Sequence, residues 1–243
     1  MTQKKRIHRL ALAGQKGGAG KSTVAYGLAC IALTRGKRVL LIDADPQNTC
    51  RTWAAQGHGR GQRSGHRPDQ LPDKGPALLC LFSYPGTARV GYLREDGGEE
   101  QASLEEAEAR HQAALTIIDV PGRMDEVQSA ALATADLALI PVGQTSSELQ
   151  ALHETCDSIR LHIERRPVLQ VAVALNRLKR RTPKGMSAPA RVLEILAAQQ
   201  GPKIPLLDAS LSDSPLYDFP GESMPQRLAL RELEALYQEL RLP

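Results

Sequence analysis

Aromatic residues are nearly missing from this 243-residue chain: two Phe, one Trp and five Tyr make up 3% of it. A core must therefore be built from Leu, Ile, Val and Ala, and a chain of this length can bury one without disulfide or metal staples. The cysteines lack close spacing. Cys30, Cys50, Cys80 and Cys156 all stand more than three residues apart. That argues against a zinc or redox motif and leaves reduced thiols as the expectation. Long apolar runs are lacking too. Nothing approaches the roughly 20 apolar residues of a membrane span. The run Leu10–Ala13, behind a basic start, is shorter than the roughly 7–15 residues of a signal-peptide core. A strong charge of either sign is also absent. A net charge of +4 permits contact with nucleic acid or an anionic surface without demanding it.

What is present is alternation. Short apolar runs at 7–13, 38–43, 115–120, 137–142 and 168–175 read as strands. Helical patterns fall between them at 22–35, 103–114, 124–134, 146–165 and 187–200. Strands that are apolar throughout suit a sheet covered on both faces. Strands alternating with helices imply parallel βαβ units. The expectation is an α/β fold: one domain over 1–243 with a doubly wound, mostly parallel sheet and helices on both faces. Two polar stretches break the pattern. Residues 57–75 read as a mobile surface loop, and residues 94–101 read as a second break. The last segment, 225–242, carries Leu230, Leu233, Leu236, Tyr237 and Leu240 at helical spacing. Such a stripe suits packing onto the chain's own sheet better than a membrane or a partner helix.

Residues 14–23 read GQKGGAGKST. The stretch follows a strand and opens a helix, which is the context of a phosphate-binding loop of the G-x-x-x-x-G-K-[ST] kind. Gly20, Lys21 and Ser22 match its end. Gln15 stands at the first glycine position, and a second lysine, Lys16, lies inside the loop. Backbone N–H groups must turn inward around a β-phosphate, so Gly17, Gly18, Ala19 and Gly20 are small. The helix start adds its positive end. Lys21 is placed to bridge β- and γ-phosphates, Ser22 to offer a hydroxyl to Mg²⁺, and Thr23 to stand near the α-phosphate. The alternative is a glycine-rich turn that binds nothing. Asp43 and Asp45 close the second strand and Asp119 closes the third. Carboxylates at such strand ends line the ligand crevice. Asp119 is the candidate to hold Mg²⁺ through water.

The combination of KGGAGKS at 16–22, DADPQ at 43–47 and DVPG at 119–122 resembles the ParA/MinD family of deviant Walker A P-loop ATPases. Asn176–Arg177 resembles that family's adenine-reading strand end, and residues 204–215 (IPLLDASLSDSP) resemble its late segment. The resemblance is strongest to short, ParF-like partition ATPases. It implies ATP and Mg²⁺ as ligands and Asn176 and Pro205 on the nucleotide. It implies an ATP-dependent homodimer in which Lys16 of one subunit reaches the phosphates of the other. Asp45 would orient the attacking water, Asp43 would support the Mg²⁺ shell, and Pro121, Gly122 and Arg123 would sense the γ-phosphate. Slow hydrolysis would be stimulated by a ParB-type centromere-binding partner. With the loop starting at residue 14, an N-terminal helix-turn-helix domain is not expected.

The family resemblance also implies non-specific DNA binding, with a cytoplasmic protein that is nucleoid-associated when ATP-bound. Residues 177–184 (RLKRRTPK) supply Arg177, Lys179, Arg180, Arg181 and Lys184 without an acid among them. Phosphate contacts of that kind are sequence-independent and salt-sensitive. A solvated basic loop is the bland alternative. One departure stands out: Ser210 occupies the place where many ParA proteins carry arginine. A MinD-like positioning ATPase acting on a membrane or a protein complex is the other functional expectation. The tail helix, with three Glu on its polar face, fits an anionic membrane poorly. An amide ligase would lack Lys16, and an iron–sulfur reductase would need cysteines placed elsewhere.

Overall fold

A computed structural model describes residues 8–57, 77–78, 89–93, 99–123, 126–217 and 227–243. In chain order the elements are β1 (His8–Leu12), α1 (Lys21–Thr34), β2 (Val39–Asp43), α2 (Thr49–Gly57) and β3 (Ala77–Leu78). Next come β4 (Arg89–Leu93), β5 (Glu99–Ser103), α3 (Leu104–His111), β6 (Leu115–Asp119) and α4 (Glu126–Thr134). The last are β7 (Leu137–Val142), α5 (Ser146–Arg165), β8 (Gln170–Leu175), α6 (Pro183–Ala198) and α7 (Arg227–Glu239).

Six strands form one all-parallel sheet in the order β3-β2-β6-β1-β7-β8. This is the expected α/β fold. Along β1, Leu10 and Leu12 enter one core and Ala11 enters the other. Both faces are covered, so every residue of β2, β6 and β7 is buried. That is why these strands read as continuous apolar runs rather than alternating ones.

One core lies under α1 and α7. A Cβ on Gly27 of α1 would stand 2.7 Å from Leu233 Cδ1 of α7, so glycine permits the close approach. Leu233, Leu236 and Tyr237 are fully buried there. The tail stripe therefore belongs to the core. The other core lies under α3, α4, α5 and α6. Thr145 and Ser103 open α5 and α3 with capping boxes, each closed by a Glu three residues on.

Most expected bounds fall within a few residues of the observed ones, and the larger departures have local causes. Helix α6 begins at Pro183, not 187, because Thr182 caps it by accepting from the Gly185 N–H at 3.1 Å. Pro183 at the first helical position costs no hydrogen bond. Helix α2 had no apolar period to announce it. Residues 99–101, expected within a polar break, lie in β5, which pairs antiparallel with β4. The Asp96–Gly97–Gly98 run between them was the available hairpin signal. The loop expected over 57–75 lies outside the described residues apart from Gly57, which ends α2.

The edge strand β8 is covered by the chain after α6. Val173 N donates to Pro205 O, Leu207 N to Val173 O and Leu211 N to Leu175 O, each at 2.8–2.9 Å. This segment runs parallel to β8 and hides the edge. Glu239 of α7 pins it, accepting from the Asp208 and Ala209 N–H groups at 2.9 and 2.8 Å.

Candidate functional site

Parallel register decides what meets at the site. Leu12 pairs with Asp119, and Asp119 pairs with Asp43. The loop leaving β1 therefore rises beside two carboxylates, at the C-terminal edge where α/β sheets hold ligands. The loop is anchored from behind. Gly14 N donates to Gln128 Oε1 at 3.1 Å, and Gln15 N donates to Thr155 Oγ1 at 3.1 Å. The Gln15 amide reaches Ser158 Oγ at 2.7 Å. Gln15, standing at the usual first glycine, ties the loop to α5. Gly20 has φ 81 and turns the chain into α1; a Cβ there would lie 2.3 Å from Asn176 Nδ2. Only glycine takes that turn without strain and clash.

Lys21 is buried, and its ammonium donates to Lys16 O at 3.2 Å. Burial lowers its pKa, and the charges of Asp119 and Asp45 oppose that. Lys16 is partly exposed and donates to Ser147 Oγ at 2.6 Å, on the first turn of α5. Gly17 and Gly18 are exposed at the crest, Ala19 is buried, and Ser22 and Thr23 are half-buried in the first turn of α1. Gly122 leans on the crest: a Cβ there would meet Gly17 N at 2.6 Å. Pro121 beside it is buried and Arg123 exposed.

Asp119 is fully buried. Its Oδ2 accepts from the Cys50 thiol at 3.4 Å, and Ser22 bonds its carboxylate. Oδ1 has no partner. Burial pushes the carboxyl up to about 7, with Asp43 adding to the rise. An orphaned buried oxygen next to a serine hydroxyl suits a hard divalent cation. No group of three or more His, Cys, Asp or Glu that could hold a metal occurs among the described residues. Mg²⁺ takes one or two protein oxygens, which the Ser22 hydroxyl and Asp119 Oδ1 could supply, and completes its shell with water and phosphate. Asp43 is buried and faces backbone instead: Oδ2 accepts from Arg51 N at 3.0 Å and Oδ1 from Asp45 N at 3.3 Å. Burial raises its pKa. Asp45 is half-exposed, and its carboxylate accepts from Gln47 N at 2.9 Å.

Asn176 is buried just past β8 and donates to Ala19 O at 2.8 Å. Pro205 is not brought to this point. It lies at the level of Val173, and residues 210–213 run beside the strand end instead. The basic run is more engaged than its sequence implies. Arg177 donates to Gly18 O at 2.9 Å and stands 3.7 Å from Asp213. Lys179 lies 3.5 Å from the same carboxylate. Arg180 pairs with Glu232 at 3.1 Å and donates to Ser210 O. The acids that answer these charges come from distant parts of the chain. Arg181 and Lys184 are exposed.

Sequence reasoning did not single out Gln128, Ser147, Cys50, Asp213 or Glu232. Each acts through a contact between elements far apart in sequence. Only Asp213, inside the late segment, carried a signal.

A family model described as the CobQ/CobB/MinD/ParA nucleotide-binding domain matches residues 10–224. The chromosome partitioning protein ParA of Caulobacter vibrioides is 32% identical over 154 residues, covering 55% of each chain. The chain thus spans about half the length of that relative. The maintenance of carboxysome distribution protein A of Halothiobacillus neapolitanus is 26% identical over 209 residues, covering 86% of this chain and 81% of its own. Among solved structures, the ATP complex of a point variant of Cyanothece McdA has a TM-score of 0.64 at 19% identity, covering 98% and 97% of the two chains. The MinD of the Aquifex aeolicus MinC:MinD complex has 0.64 at 18% identity, covering 97% and 96%. At those identities the likeness concerns the fold.

Proposed function

The chain belongs to the CobQ/CobB/MinD/ParA nucleotide-binding domain family, and on that premise we propose that it is a ParA-type ATPase. In this reading it binds Mg-ATP, dimerises on doing so, binds DNA without sequence preference and drives segregation of a DNA cargo. The observation that carries it is the pairing of two lysines on one loop with a buried carboxylate that has one unpartnered oxygen. Lys21 is buried against the loop, Lys16 lies partly exposed on Ser147 Oγ at 2.6 Å, and Asp119 Oδ1 faces no partner.

Loop amides from Gly17 to Thr23 hold the phosphates, helped by the α1 N-terminus. Lys21, poorly solvated, gives its charge to the β- and γ-phosphates. Ser22 and Asp119 are the residues that would hold Mg²⁺. When bound, Mg²⁺ neutralises charge on the phosphate oxygens. Asp43 acts one step back, fixing the turn that carries Asp45, and Asp45 orients the attacking water. Lys16 of the partner subunit supplies charge in trans, as a finger residue does. Gly122, lying on Gly17, lets the 121–123 segment register the γ-phosphate. Asn176 holds the base end of the site. Residues 1–243 act as one domain.

DNA contact rests on Arg181 and Lys184, which remain exposed, with Lys179 and Arg180 contributing where Asp213 and Glu232 leave them charge to share. A ParB-type partner bound to the cargo stimulates hydrolysis. The protein works in the cytoplasm and sits on the nucleoid in its ATP state. Among the described residues no helix is long and apolar enough to cross a membrane. A second reading places a protein assembly as the cargo. It is favoured by the breadth of the match to the carboxysome distribution protein, at 86% of this chain.

Sedimentation with Mg²⁺ and a non-hydrolysable ATP analogue tests the core of this reading. A dimer is expected with the analogue and a monomer with ADP; a monomer in both overturns it. DNA binding is read from the salt slope of the analogue-bound protein. Arg181→Ala with Lys184→Ala is expected to flatten log K against log salt by about 0.9 per lost contact. An unchanged slope removes these residues from the DNA surface.

A further inference from the structure

Asn176 and Arg177 are adjacent in sequence, and they seize adjacent carbonyls of the phosphate loop. Asn176 Nδ2 donates to Ala19 O at 2.8 Å. Arg177 Nη1 donates to Gly18 O at 2.9 Å. In a trans peptide the C=O and the following N–H point in opposite directions across one plane. Holding Gly18 O against Arg177 therefore turns the Ala19 N–H the other way. Holding Ala19 O against Asn176 does the same to the Gly20 N–H. The two amides are directed away from the strand end, free of the groups that hold the carbonyls and available to an anion on that side.

The strand end is shaped for this grip. Arg177 has φ 54, a left-handed conformation that a non-glycine residue adopts at a cost. Its backbone N–H donates to Asn176 Oδ1 at 3.0 Å, which couples the two side chains. Asp213, from the late segment, faces the Arg177 guanidinium at 3.7 Å and Lys179 at 3.5 Å. A half-exposed ion pair of that length contributes little by itself. Its effect is to aim the guanidinium. Gly20 leaves room for the Asn176 amide, since any Cβ would lie 2.3 Å from Nδ2.

We propose that Asn176 and Arg177 form a clamp on the phosphate loop that pre-orients the Ala19 and Gly20 N–H donors for a β-phosphate, with Asp213 setting the clamp. The proposal rests on the nucleotide reading above. It moves Arg177 from a DNA-contacting role to a positioning role in the phosphate site. The late segment gains a task as well, since it tunes phosphate affinity through Asp213. The ligand feature that the clamp serves is the β-phosphate, shared by ADP and ATP and missing from AMP.

Competition against a fluorescent ADP tests it, with the affinities of ATP, ADP and AMP measured for each variant. Arg177→Ala is expected to weaken ADP and ATP together by about ten-fold, the scale of one charged hydrogen bond. AMP affinity should not move. Arg177→Lys, which still donates to a carbonyl, should recover most of the loss. Unchanged ADP affinity in Arg177→Ala overturns the clamp, and so does an equal loss for AMP, which would mark a collapsed pocket. If Arg177→Ala fails to fold, Asp213→Asn carries the test: a two- to five-fold ADP loss supports the clamp and no loss overturns it. A wild-type protein that binds neither ADP nor ATP would overturn the nucleotide reading itself, a result distinct from variants that bind as well as wild type.

Discussion

Lys16 donates a 2.6 Å hydrogen bond to Ser147 Oγ at the start of α5, so the loop's second lysine rests on its own subunit. To reach a neighbour's phosphates it must leave that serine. An exposed hydrogen bond is worth about 0.5–1.5 kcal/mol. A symmetric dimer breaks two such bonds, so Ser147→Ala should strengthen ATP-dependent dimerisation by about five-fold to a hundred-fold in sedimentation equilibrium. Lys16→Ala should abolish hydrolysis while leaving ADP affinity within a few-fold of wild type. Hydrolysis persisting in Lys16→Ala would remove the trans role.

Gly122 touches the phosphate loop without a hydrogen bond. Alanine there would press its Cβ to 2.6 Å from Gly17 N and 2.9 Å from Gly17 Cα. Backbone on both sides must shift, at a cost of about 1–3 kcal/mol. Gly122→Ala is expected to weaken ATP binding by at least about ten-fold and to lower the melting temperature. Wild-type affinity would mean that the switch segment and the loop move apart freely.

Asp119 bears the clearest mark of an intended cation: full burial, one orphaned oxygen and a carboxyl pushed up to about 7. Ligand at 100 times its Kd stabilises a protein by about 2.7 kcal/mol. For a chain of this size that is roughly 5–10 °C in melting temperature. Mg-ADP should raise the melting temperature above ADP alone. Asp119→Asn, which removes a poorly solvated charge, should melt no lower than wild type without ligand and lose the Mg²⁺ increment. Retention of that increment would place the cation elsewhere.

Glu232 gathers the late segment. It accepts from Ser212 N at 2.8 Å, Ser212 Oγ at 2.9 Å and Tyr217 OH at 2.5 Å, and pairs with Arg180 at 3.1 Å. Burial pushes its pKa up, but these donors outweigh it and the net shift is downward. A carboxylate held below its unfolded value contributes stability above that value, near 4.3. The contribution is lost as pH falls through the lower, folded value. Glu232→Gln should melt below wild type at pH 7, and the gap should close on acidification below about pH 4. A gap independent of pH would mean that charge plays no part there.

Much of the fold was legible in advance, because both-face burial leaves a local mark. The five long strands of the sheet and the helices α1, α4 and α5 fell close to their expected places. Helix α2 was not legible, since its start depends on Asp43, which accepts from Arg51 N. Strand β5, EEQAS, was hidden by its polar composition, and without it β4 had no visible partner. The tail stripe was legible as a helix, and Leu233 against Gly27 shows what it covers.

At the candidate site, the sequence by itself determined the loop chemistry. Small residues, two lysines and a serine in one short stretch carry the pattern of an anion-binding loop. It also determined that acids stand at the ends of β2 and β6. Only the tertiary structure decided how those groups are used. Parallel register set Asp119 beside the loop and turned Asp43 to the backbone. Distant Asp213 and Glu232 drew in Arg177, Lys179 and Arg180, which local composition left looking free. The reason is physical: periodicity and spacing are local properties of a chain, whereas charge pairing, burial and the aim of a carbonyl depend on what the fold brings within a few ångströms.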